Sequence, residues 1–320
     1  MDALVSFNLN WGMLFLIQTT VGILGNSSLF HRYNFPFFTV QVMRPRNVIL
    51  NQLIISNNLV LLSRGIPQTV ATFGLTSFLG DAGCKLILCL YRVARGVSLS
   101  TTSLLSGFQA IKLHPNTSGR LSLRIRSSKW IGSWCILCWI LHLMLNIHVT
   151  KIANGPQNSK NLTAKGIHRY CSSTIPERLG FLLAGVILSL SDIMCLVLMA
   201  WASGSMVLVL HKHKQRVQYI HSHSLSPKPA HEDRATWTIL ILVTMFLSLY
   251  SLSSILSLWT TQTLYPSHWL LNTSVLMSLG FPTLSPFVFN CTDSHTSHCC
   301  FISHMKKAQS PTMVSTFYVS

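Results

Sequence analysis

Acidic residues are scarce in this chain: seven Asp and Glu in 320 residues, against 24 Lys and Arg. Charged residues make up only 10% of it, where soluble domains carry about a quarter. That argues against an ordinary water-soluble domain and for a membrane protein. The chain has no Gly-rich phosphate loop, His-Glu-x-x-His or nucleophile elbow, so nucleotide-binding, zinc-protease and hydrolase readings have no support. The nine cysteines form no paired CxxC sets. One CxxC, Cys135 and Cys138, lies inside an apolar run, where packing explains it. No Ser/His/Asp or metal-ligand set converges by spacing, so no enzyme, cofactor or metal is expected. The five histidines between 211 and 231 read as solvated. In a soluble protein the basic excess would suggest nucleic acid. With 49% hydrophobic residues, it reads instead as loops lying against anionic lipid, with no nucleic-acid partner.

What the chain does have is long apolar runs. A spanning helix needs about 20 such residues. Runs of that length predict seven spans: Leu9 to Phe30, Asn47 to Phe73, Cys84 to Ile111, Trp130 to Val149, Glu177 to Leu210, Ala235 to Trp259 and Trp269 to Asn290. From Ala235 to Thr292 there is no Lys, Arg, Asp or Glu, and the polar stretch 260–268 divides that run in two. No basic segment precedes the first span, so it is expected to stay rather than be cleaved. Pro67 is expected to kink the second span. The fifth run is too long for the hydrocarbon core and is expected to project beyond it. The fold class is therefore an all-α, seven-transmembrane helix bundle over residues 1–290, with a polar, loose tail at 291–320.

The Lys and Arg counts orient the bundle. With the N-terminus outside, the cytoplasmic segments hold three, five, five and two, against six outside. This bias places the tail in the cytoplasm. Cys84 then opens the third span on the outer face, and Cys171 lies in the outer 150–176 loop. Both meet the oxidising lumen during synthesis, where a bridge would pin that loop over the bundle mouth; two free thiols are the plainer alternative. Among the Asn-x-Ser/Thr sequons only Asn161 is both outside and in a loop, so it is the expected glycosylation site. Cys299 and Cys300, just past the last span, are either palmitoylated or plain thiols.

Four charges interrupt the spans: Arg64, Arg92, Arg95 and Asp192. Each costs about 2.5–3.5 kcal/mol at mid-bilayer on insertion scales, so such residues face the bundle interior or a wet cavity. Arg92 and Arg95 are three apart and Tyr91 and Arg95 four apart, spacings that share a helix face. Asp192 is the only acid within a span and a natural partner for an arginine. These residues either form a satisfied internal network or, with Tyr91, line a pocket for a small, anionic ligand.

Longer stretches carry a family resemblance. They are RVARGVSLSTTSLLSGFQAI (92–111), LHPNTSGR (113–120), WILHLMLN (139–146), GIPQTVATFG (65–74), CSS (171–173), LMAWASGSMVLVLHKHKQRVQYIH (198–221), RATWTILILVTMFLSLYSLSSI (234–255) and FPTLSPFVF (281–289). Together they resemble the vomeronasal type 1 receptor family from about Gly25 to Phe289. The resemblance implies a G-protein-coupled receptor for pheromones or other small chemosensory ligands in the plasma membrane. It also implies the Cys84–Cys171 bridge and glycosylated Asn161. The third span ends in Phe108-Gln109-Ala110-Ile111, where rhodopsin-like receptors carry Asp-Arg-Tyr. Phe108, Gln109, Arg124 and Arg126 are the expected G-protein contacts. The chain departs from the pattern at Ser191, where a proline is expected, at Ser100 and Gly107, and beyond Phe289. A bitter-taste-like receptor is the near alternative. A transporter or channel is the distant one, disfavoured because the spans hold a single acid and no paired broken helices.

Overall fold

The computed structural model describes residues 2–39, 45–75, 78–113, 127–147, 153–154, 165–168, 171–173, 178–220, 231–262 and 267–308. The helices are α1 (Asp2–Thr39), α2 (Pro45–Val60), α3 (Ile66–Thr72), α4 (Asp81–Leu113), α5 (Ser128–Asn146), α6 (Arg178–Ile220), α7 (His231–Gln262) and α8 (His268–Ala308). A π turn over Leu61–Gly65 joins α2 to α3, so these two form one span and the bundle has seven. At about 1.5 Å per residue, α6 with its 43 residues runs well beyond a ~30 Å hydrocarbon core. Helix α8 continues to Ala308, so the first part of the expected tail is helical rather than loose.

The π turn has a local cause. Pro67 lacks an N–H, and its ring crowds the carbonyl four residues back, that of Ser63. Widening the preceding turn relieves the crowding, and the Ile66 N–H donates to the Leu61 carbonyl instead. In α8 two prolines, Pro282 and Pro286, lie inside the helix. Pro286 cannot donate to the Pro282 carbonyl, and Asn26 of α1 supplies the missing donor, Nδ2 to O at 2.8 Å. Side chains from neighbouring helices thus satisfy the freed backbone, as a membrane interior requires.

Long apolar windows occur at Leu9–Asn34, Ser128–Asn146, Leu190–Val209 and Thr238–Leu256. The second, third and seventh spans are more polar because their inward faces carry Asn51, Asn57, Ser98, Thr102, Asn272 and Ser285, all buried. Helix α4 packs against α2, α5, α6 and α7 and is the central element. The cytoplasmic half of the core gathers Leu53, Leu99, Leu105, Met199, Val243 and Phe281. Outward, Leu86, Ile136, Met144, Trp201 and Leu208 are exposed, an apolar girdle that suits lipid and not water. The outer 150–176 loop contributes a short antiparallel sheet in the order β1 (Ala153–Asn154), β3 (Cys171–Ser173), β2 (Lys165–His168). Ala153 faces Ser173, and His168 faces Cys171. Cys171 is joined to Cys84, with Cα atoms 5.8 Å apart, which fixes the sheet to the outer end of α4.

Candidate functional site

The site grows from one helical spacing. Tyr91 and Arg95 lie four apart on α4, and Arg95 Nη1 donates to the Tyr91 hydroxyl at 3.0 Å. The Tyr91 ring carries a second cation on its face: the guanidinium carbon of Arg64, 4.5 Å from the centroid. Arg95 in turn lies 4.5 Å over the ring of Tyr250 on α7, and its Nη2 donates to Ser253 Oγ at 3.3 Å. The Tyr250 hydroxyl donates to the Asp192 carboxylate on α6. Cation and aromatic ring alternate along Arg64, Tyr91, Arg95 and Tyr250, and Asp192 closes the series. A desolvated cation–π contact contributes about 2 kcal/mol. Two such contacts offset much of the cost of holding Arg64 and Arg95 inside the bundle.

Tyr91, Arg95 and Asp192 are therefore brought into one network, in which Asp192 reaches Arg95 through Tyr250 rather than by a direct ion pair. Arg92 lies apart: it is exposed and has no hydrogen-bond partner among the described residues. Tyr250 and Ser253 escaped the sequence reading because neither is charged. The run also carries Thr244, Ser248, Ser251 and Ser254, so nothing in its sequence singles these two out.

A cavity of about 30 Å³ lies beside Arg95, bordered by Ser98, Phe246, Tyr250, Ser253 and Ser278. At about 10–15 Å³ for each water, this is room for about two waters, far below the ~300 Å³ at which small-molecule pockets begin. A ligand of ordinary size needs the helices to part.

Below the cavity a hydrogen-bonded chain crosses three helices. Ser98 Oγ donates to Asn57 Oδ1 at 2.9 Å, and Asn57 Nδ2 donates to Ser285 Oγ at 3.0 Å. On the other side of α4, Ser100 Oγ meets His142 Nε2 of α5 at 2.8 Å. Nearer the outside, Gln68 Nε2 donates to Asn272 Oδ1 at 3.3 Å. Asn26 and Asn272, both in sequons, are buried in the bundle and out of reach of glycosylation. At the inner end of α4, Phe108 is half-buried and Gln109 is buried. Asn161, Arg124 and Arg126 lie outside the described residues.

Seven helices around a central third span, with a disulfide from that span to the outer loop and a polar interior, make up the seven-helix fold of the rhodopsin-like receptors. The squid rhodopsin crystal structure shares the architecture, with a TM-score of 0.68 over 89% of this chain and 77% of that one at 15% identity. The sequence matches the vomeronasal organ pheromone receptor family over residues 9–302, and the chain belongs to that family. Human Vomeronasal type-1 receptor 1 is 47% identical over 95% of this chain and 86% of its own length. Human Vomeronasal type-1 receptor 4 is 42% identical over 91% and 96%. A zebrafish relative, Olfactory receptor class A-like protein 1, is 27% identical over 87% of each chain. The chain is thus a multi-pass plasma-membrane protein and a chemosensory seven-helix receptor.

Proposed function

We infer that this receptor binds a small chemosensory, pheromone-like ligand among α4, α6, α7 and α8 and answers by activating a heterotrimeric G protein on the cytoplasmic face. The observation that carries the reading is Arg95, held on the wall of a half-open cavity by Tyr91, Tyr250 and Ser253. The bundle encloses Arg64 and Arg95 against Asp192 alone, an excess of one positive charge in a medium that disfavours charge. That balance suits a ligand with a carboxylate or another strong hydrogen-bond acceptor. Arg92, one turn nearer the outside, lines the approach, and Asp192 balances the charge. The loop held by Cys84–Cys171, with a glycan on Asn161, covers the entrance. Phe108, with Arg124 and Arg126 of the following loop, meets the G protein, and Gln109, buried in this arrangement, joins them only when the inner helix ends part.

Binding drives signalling only if the ligand prefers one bundle arrangement over the other. The test is to express the chain with a panel of G proteins and challenge it with small acidic and neutral volatiles. The expected result is a ligand response that vanishes when the G protein is removed. A ligand-gated current or uptake that persists without any G protein would overturn the receptor reading in favour of a channel or transporter.

A further inference from the structure

Tyr250 of α7 touches α4 and α6 at once. Its hydroxyl reaches Asp192 on α6. Its face carries Arg95 of α4 at 4.5 Å. Its ring stacks on Phe246, 5.7 Å between centroids and 16° between planes. Phe246 meets Phe281 of α8 edge-on at 4.4 Å. Four helices meet at one level through two neighbouring rings of α7.

We propose that Tyr250 is a positioning residue that pins α7 to α4 and α6 in the ligand-free receptor, and that an acceptor group arriving at Arg95 releases the pin. This rests on the binding reading above. The cavity beside Arg95 is water-sized, and on the α7 side its wall is Phe246, Leu249, Tyr250 and Ser253. On the α8 side it is Met277, Ser278, Phe281 and Pro282, and room made against α7 breaks the Tyr250 contacts. The incoming acceptor also competes with the Tyr250 face for the same guanidinium. Ligand affinity is thereby converted into freedom of α7, the differential interaction that a two-state switch needs.

Tyr250→Phe keeps a ring beneath Arg95 and deletes the bond to Asp192; Asp192→Ala deletes the same bond from the other side. A hydrogen bond to a charged group is strong enough that its loss shifts a two-state ratio roughly tenfold. At equal surface expression, each variant is expected to raise ligand-independent G-protein output by about that factor. Each also lowers the thermal midpoint of the purified receptor, and the double variant is no worse than the worse single. An additive thermal cycle overturns the pin, whatever the receptor does in cells. In a receptor that does answer a ligand through a G protein, a non-additive cycle with unchanged basal output overturns the switch. The thermal cycle needs neither ligand nor G protein. A non-additive cycle in a chain that never signals therefore supports the pin and overturns the G-protein reading alone.

Discussion

At Gly96 the His142 ring of α5 presses against the backbone of α4. A Cβ added there would sit 2.3 Å from Nδ1, 2.6 Å from Cε1 and 2.9 Å from Cγ of His142. The imidazole has little room to turn away: His142 is 2% exposed, and its Nε2 is held by Ser100 Oγ at 2.8 Å. The atom at 2.3 Å is well inside ordinary contact, so Gly96→Ala forces the two helices apart or breaks the Ser100 bond. Overpacking of this kind costs about 1–3 kcal/mol, and losing the buried bond costs about 1 kcal/mol more. The Gly-to-Ala helix preference returns about 1 kcal/mol. Gly132 on α5 and Gly204 on α6 provide the control, since nothing lies within 4 Å of a Cβ at either, so only the helix preference acts there. Thermal midpoints of the purified receptor in detergent should fall for Gly96→Ala and hold or rise for Gly132→Ala and Gly204→Ala. Adding His142→Ala to Gly96→Ala should recover part of the loss. Gly96→Ala as stable as Gly132→Ala would refute the close approach of α4 and α5.

Further expectations follow from the polar interior and the outer face. Asn57→Ala strips partners from Ser98 and Ser285 together and should cost about 1 kcal/mol in thermal stability, whereas an unchanged midpoint would mean that the three helices do not share this chain. Cys84→Ser and Cys171→Ser should each reduce surface expression, and the double variant should match the singles; additive losses would argue against the bridge. Asn161→Gln should remove the endoglycosidase-sensitive mobility shift on a gel, while Asn26→Gln and Asn272→Gln leave it intact. A shift that survives Asn161→Gln would place the glycan elsewhere.

Four of the seven spans were legible as long apolar windows and the second, third and seventh as less apolar stretches between polar segments, and the orientation followed from where Lys and Arg collect. The ends of the helices were harder to read. Helix α1 runs through His31 and Arg32 to Thr39, because charges at the membrane surface end a span without ending a helix. Pro67 announced a distortion, but its form, a π turn just upstream, depends on the carbonyl that the proline ring crowds. The short sheet was hidden in a polar loop whose pairing is set by its tether to α4. At the site, Tyr91 and Arg95 were readable from helical spacing. Arg95 and Asp192 were visible as isolated charges, so a direct link between them was the natural guess. Tyr250, which stands between them, comes from a distant helix and carries no charge, and periodicity within one helix cannot reveal it.

The central claim is that Arg95 is where a ligand is recognised. The most direct measurement is the concentration–response curve of a responding ligand on wild type, Arg95→Gln and Arg92→Gln at matched surface expression. The account predicts that Arg95→Gln weakens the response by about tenfold or more, as expected when a charge-assisted hydrogen bond is lost, and that Arg92→Gln weakens it less. Normal curves for both variants at the cell surface would contradict it.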